Sequence, residues 1–278
     1  MNDIQQTPVQ RSPRHGWEIL SNAQLKIIGI TLMVLDHLHQ MLAAQGAPSW
    51  FNWFGRPVAP LFLFLCAEGF AHTRDRSRYM LRLLIGSAFM GAASSLFSRY
   101  LPVQDVVLMN NIFSALFISV WYMWMIDCIR NGIAEKKGAS IAVAAAGMLL
   151  PFIIGVGLLV IMANDALAQP IRRSAAFALT IIPNPVSVEG GATLILLAVL
   201  FYVFRRFRIA QIGVLLAISV LSFVLSKDAQ WMMAAAAVPI ALYNRRRGGS
   251  GGKYFFYIFY PAHIYVLYVL AWALEKLQ

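Results

Sequence analysis

Charge is scarce in this chain: 13% of its 278 residues are Asp, Glu, Lys or Arg and 59% are hydrophobic, where soluble domains carry roughly a quarter charged residues. That balance excludes a soluble globular protein. Cysteine is nearly absent too. Cys66 and Cys128 both fall inside apolar runs, which excludes a multi-bridge secreted framework and a Cys-rich zinc site. There is no phosphate-binding glycine loop, no zinc-ligand spacing and no serine-nucleophile elbow, so no metal site is expected.

What the chain has instead is long apolar runs, at about 23–44, 58–72, 79–98, 106–128, 139–163, 190–204, 209–226, 229–244 and 254–275, separated by Pro, Gly or charged residues. At roughly 20 residues per crossing, nine spans use about 180 residues and leave no room for a second large soluble domain. The expected fold is an all-α, polytopic integral membrane protein of about nine helices. A polar arm over 1–22, with Pro8, Pro13 and Gly16, precedes a single transmembrane domain over 23–278. The first run is too long for a cleaved signal peptide and reads as a retained span.

Cationic residues set the expected orientation. With the N-terminus cytoplasmic, seventeen of the 23 Lys and Arg residues fall on the cytoplasmic side and six, Arg56, Arg99, Arg172, Arg173, Lys227 and Lys276, on the other. The net charge of +11 is then a matter of topology and contact with anionic lipids, without nucleic acid as a partner. The segment 164–189 is apolar enough to re-enter the membrane.

Ionisable groups at bilayer depth cost several kcal/mol and are functional candidates by default. Asp36 and His37 lie ten and eleven residues past Lys26, about 15–16 Å along the first helix. His263 lies ten residues past Lys253 on the last, so both histidines reach a similar depth and can line one cavity. An imidazole there can take a proton from a hydroxyl or amine, or carry an acyl group; the structural alternative is that these residues only tie helices together. Asp36 shares a helix face with His39 and Gln40 rather than with His37. Glu68 and His72 are spaced to face each other, and Arg74, Arg76, Arg78 and Arg82 follow, an anion site suited to a phosphorylated cofactor or an ordinary positive-inside turn. Asn110 and Asn111 can bind a polar substrate or satisfy a helix end. Trp50, Phe51, Trp53 and Phe54 form an interface belt, or a lid with Arg56 at its base.

LKIIGITLMVLDH (25–37), GRPVAPLFLFLCAEGFAHTRDRSRYMLRLL (55–84), NNIFSALF (110–117) and FYPAHIYVLYVL (259–270) resemble the TraX family, in order, from about residue 23 to 275. That family is named for the conjugation protein that N-acetylates pilin subunits, and it is similar to the wider integral-membrane acyltransferases that use cytoplasmic acetyl-CoA at the outer face. The resemblance implies His37 as catalytic base with Asp36 as its charge partner, His263 as a second polar group, and Arg56, Glu68, His72 and Arg74 in the core of the site.

The expected function is an acetyl-CoA-dependent O- or N-acyltransferase of the bacterial inner membrane. The coenzyme binds at Glu68, His72, Arg74, Arg76, Arg78 and Arg82, and the acceptor, a peptide, pilin or glycan, is met by Arg56, Asn110 and Asn111. The rival is a proton-coupled transporter or lipid translocator in which Asp36, His37 and His263 relay protons. A non-catalytic assembly partner is a third reading, with nothing in the sequence that favours it.

Overall fold

The computed structural model describes residues 16–249 and 255–277. The first fifteen residues of the polar arm, and Lys253, lie outside the described residues. Among those described, α1 (Asn22–Leu42), α2 (Phe51–Gly55), α3 (Val58–His72), α4 (Arg76–Tyr100), α5 (Ile112–Ala134), α6 (Gly138–Ala163), α7 (Gln169–Ile181), α8 (Gly191–Val203) and α9 (Arg208–Ser226) follow in order, then a 3-10 turn (Ala229–Ala236) running into α10 (Ala237–Ala241), and finally α11 (Phe255–Leu277). The protein is all-helical. Seven of these units are long and apolar enough to cross a membrane: α1, α2 with α3, α4, α5, α6, α9 and α11. The other two apolar runs form the shorter helices Gly191–Val203 and Ala229–Ala241.

Composition sorts the helices by depth in the bundle. α3 is apolar all round, and Leu61, Leu63, Phe64 and Phe70 are fully buried where it packs against α1, α5, α8 and the Ala229–Ala241 segment. α6 is equally apolar, yet Leu149, Phe152, Ile153 and Val160 are exposed on it, as suits a helix at the lipid face. Helix starts are set by capping side chains. Ser21 and Gln24 form a capping box on α1, Asp75 accepts from the Arg78 N–H on α4, and Asn111 accepts from the Ser114 N–H on α5.

Two connections run deep into the bundle, and they position the site. The fourth apolar run was expected to be helical from about 106, but α5 starts only at Ile112. Its cap, Asn111, donates its side-chain amide to the carbonyl of Ser87, which lies eleven residues from one end of α4 and thirteen from the other. Segment 101–111 therefore descends along α4 by about 20 Å before α5 begins. α7 descends beside it. A Cβ on Gly91 would lie 2.2 Å from the carbonyl oxygen of Thr180, so only glycine lets the end of α7 meet the backbone of α4. The loop after α7 then delivers Glu189, whose carboxylate accepts the Asn111 N–H at 3.3 Å. α5 and α8 thus both start at mid-length of α4.

Candidate functional site

His37 stands at this level. Facing inward from α1, it is 4% exposed, and its Nδ1 lies 2.7 Å from Nε2 of His263 on α11. The ring centres are 4.9 Å apart and the planes 18° from parallel. The N···N distance plus one ring radius on each side accounts for that separation, so the rings meet edge to edge with the hydrogen bond in both planes rather than face to face. His263 is anchored in turn, its Nδ1 2.8 Å from the carbonyl of Phe259 one turn earlier. On the far side of His37, the Asn110 amide nitrogen lies 3.2 Å from Nε2 and donates to Gln40 Oε1 at 2.8 Å. Asn110 is buried, and its Oδ1 has no hydrogen-bond partner among the described residues. Tyr260 closes the wall, accepting the Ile112 N–H at 3.2 Å with its ring edge-on to His37.

Asp36 belongs to a second, adjoining group. Its carboxylate lies against Gly55, at a place a Cβ would occupy. Arg56 supplies the positive charge that acts on it. Arg56 itself donates to Gln230 Oε1 at 3.1 Å and to Asn52 Oδ1. Asp36 and Arg56 also act electrostatically on Glu189, whose residue reaches the surface of the bundle, as Gln40 does, beside the buried histidines. Asn111 sits at the floor as a helix cap rather than as a free amide.

The α3–α4 turn divides the six expected coenzyme residues. Arg74, Arg78 and Arg82 line one pocket of about 460 Å³ together with Thr73, Asp75, Leu81 and Ile85. Arg78 pairs there with Asp75 at 3.0 Å, whereas Arg82 lies near the Tyr79 ring with its Nε unpartnered among the described residues. Arg76 points elsewhere: it pairs with Asp127 at 2.8 Å, stacks on Phe70, and shares Asp127 with the Tyr202 hydroxyl. The expected Glu68–His72 contact is made through the backbone, His72 Nδ1 bonding the Glu68 carbonyl at 2.8 Å. The buried Glu68 carboxylate instead faces Arg208 and Tyr243. The structure thus brings together His37, His263 and Asn110, then Asp36 and Arg56, then Arg74, Arg78 and Arg82; it leaves Glu68, His72 and Arg76 outside these groups.

Three members of these surroundings have no site role in the sequence reading, although Gln40 was placed there on one helix face with Asp36 and His39. Gln40 follows His37 by three residues on one helix face, a spacing that was legible. Glu189 lies in a loop and carries no local signal. Arg208 was counted as a loop cation; its guanidinium is stacked over Phe64 and Tyr243, and its three nitrogens are buried without hydrogen-bond partners among the described residues.

Comparison with known proteins gives one broad match and one partial one. Residues 21–271 match the family described as TraX protein. A curated relative from Dichelobacter nodosus, "Probable fimbrial assembly protein FimC, serogroup H1", is 34% identical over 88 residues, covering 30% of this chain and 34% of that protein. The chain thus aligns with about a third of that relative's length. No solved structure matches.

Proposed function

The chain belongs to the TraX family, and from that premise we propose that it is a membrane-embedded acyltransferase moving an acetyl group from acetyl-CoA to a hydroxyl or amine of an extracytoplasmic acceptor. Membership ties the chain to pilin-related conjugation or fimbrial function, and the fimbrial assembly relative points the same way. The acceptor class that follows is a pilin or other peptide, with an envelope glycan as the alternative, and the location is the bacterial inner membrane. The observation that carries the reading is a buried imidazole, His37, hydrogen-bonded on both nitrogens and set beside a polar group that reaches the surface of the bundle.

In this mechanism the coenzyme phosphates lie on Arg74, Arg78 and Arg82, on the cytoplasmic side. Arg82 is five residues from Ser87, the residue level with the histidine site, so the two places differ by roughly 8 Å along the α4 axis. The extended thiol arm of the coenzyme spans that interval. The acceptor enters past Arg56, Glu189 and Gln40, displaces the Asn110 amide from His37 Nε2, and gives that nitrogen its proton as it attacks the acyl carbon. The acyl C–S bond breaks, and the departing thiolate takes a proton back from His37.

The transport reading requires a continuous proton path through Asp36, His37 and His263. The histidine pair favours it, but Asp36 packs on Gly55 and makes no bond to His37. The two readings part on substrate use. Detergent-purified protein is titrated with acetyl-CoA, coenzyme A and ATP while its unfolding temperature is followed, and then assayed for acetyl-CoA-dependent release of free thiol on adding acceptor peptide. Saturable stabilisation by both coenzyme A species but not ATP, with thiol release, is expected; no shift and no release in folded protein rejects the acyltransferase reading.

A further inference from the structure

We infer that His263 is the positioning residue of His37: it fixes His37 in the tautomer protonated on Nδ1 and receives that proton's hydrogen bond, the place a carboxylate holds in a Ser–His–Asp triad. The deduction starts from the Phe259 carbonyl, which can only accept. His263 Nδ1, 2.8 Å from it, must carry a hydrogen. In neutral His263 the other nitrogen, Nε2, then holds a lone pair, so at 2.7 Å the hydrogen between the two rings belongs to His37 Nδ1. His37 Nε2 is left as the basic atom, and the group 3.2 Å from it must be the donating nitrogen of Asn110, which also gives Gln40 Oε1 a hydrogen. One backbone carbonyl thereby sets the hydrogen positions of four side chains in a row. The near-coplanar rings are the geometry in which the His263 lone pair points along the His37 N–H.

The catalytic consequence rests on the acyltransferase reading. When the acceptor's proton arrives at His37 Nε2, the Nδ1 hydrogen can shift to His263 Nε2 while the Phe259 bond persists, so the positive charge is shared by two rings. The acceptor oxygen or nitrogen bonds the acyl carbon, the C–S bond breaks, and the thiolate takes the proton from His37 Nε2 as the Nδ1 hydrogen returns. Proton count and charge balance without any further reactant. Asp36, packed on Gly55, takes no part in this chain.

The test needs no catalysis for its first half. Protein labelled with 15N-histidine is examined by NMR in detergent, the five histidines being separated with His37→Ala and His263→Phe. Wild type is expected to show both His37 and His263 protonated on Nδ1 only, the minor form of free imidazole. His263→Phe is expected to release His37 from that form while the unfolding temperature shows the protein still folded; His263→Asn, which keeps a polar group, is the second variant if the first does not fold. His37 protonated on Nε2 in wild type, or unchanged in both folded variants, overturns the inference. In the transfer assay His263→Phe should lose on the order of 100-fold in kcat with little change in the acetyl-CoA KM. Locked tautomers in a protein without transferase activity would reject the proposed function and leave the positioning intact. Full activity in His263→Phe rejects the positioning role alone.

Discussion

The carboxylate of Asp36 occupies the space in which Gly55 would carry a side chain, with a Cβ there falling 2.2 Å from Asp36 Cγ. Two residues nineteen positions apart are thus fitted to each other, and the fit holds α2 against α1 at the open edge of the site. Gly55→Ala should force one of them to move. The overpacking should cost about 1–3 kcal/mol and displace Asp36 from Arg56, while the His37–His263 bond is kept. Thermal unfolding measures the first effect and the histidine NMR signals the second; a variant as stable as wild type would show that the contact is not tight in solution.

His37→Ala should remove acetyl transfer, with a loss of about 100- to 10,000-fold, while leaving the protein folded, because the deletion removes one hydrogen-bonded side chain and no helix contact of α1 with α3. Initial rates at saturating acetyl-CoA check this. Unchanged turnover would reassign the base.

Arg74 and Arg82 line the pocket at the α3–α4 turn, and Arg76 does not. Arg74→Gln and Arg82→Gln should therefore raise the acetyl-CoA KM with less change in kcat. Arg76→Gln should behave in the opposite way. Among the described residues it leaves Asp127, whose side chain is 13% exposed, with the Tyr202 hydroxyl alone, and should cost roughly 1–3 kcal/mol of stability with KM unaltered. Paired titrations and unfolding curves on the three variants separate the coenzyme contact from the fold contact.

That division was present in the sequence in helical geometry, though not in charge. Arg78 and Arg82 are one turn apart, whereas Arg76 and Arg78 are about 200° apart around the helix and face opposite ways. Apolar runs likewise placed α3, α6 and α9 within a residue of their ends, because a bilayer helix is written in an uninterrupted hydrophobic stretch. The common depth of His37 and His263 followed from counting along two helices. What could not be read was pairing. Adjacent Asp36 and His37 point about 100° apart, and which of them meets His263 depends on how α1 is turned toward α11. The descent of 101–111 was hidden for another reason: Val103, Val106, Val107 and Leu108 make the segment look helical in hydropathy, although it is non-helical where it runs alongside α4. Glu189 was invisible because its role is created by the folding of two loops.

Those loops meet through Gly91, and this gives the last test. At Gly91 the end of α7 rests on α4 backbone to backbone, with Ser95 also reaching Thr180 at 3.3 Å. Gly91→Ala places a methyl where the Thr180 carbonyl now lies, so the end of α7 must lift from α4. The loop 182–190 is continuous with that end, and its Glu189 holds the Asn111 N–H. The substitution should therefore speed hydrogen exchange in 182–190 and at the start of α5, while exchange in α3 and α9, which do not pack on α7, stays as in wild type. Transfer should fall even though no residue touching His37 has been changed. If exchange rises only within α7 and activity is retained, Glu189 is not needed at the mouth of the site and the acceptor route must lie on the Arg56 side alone.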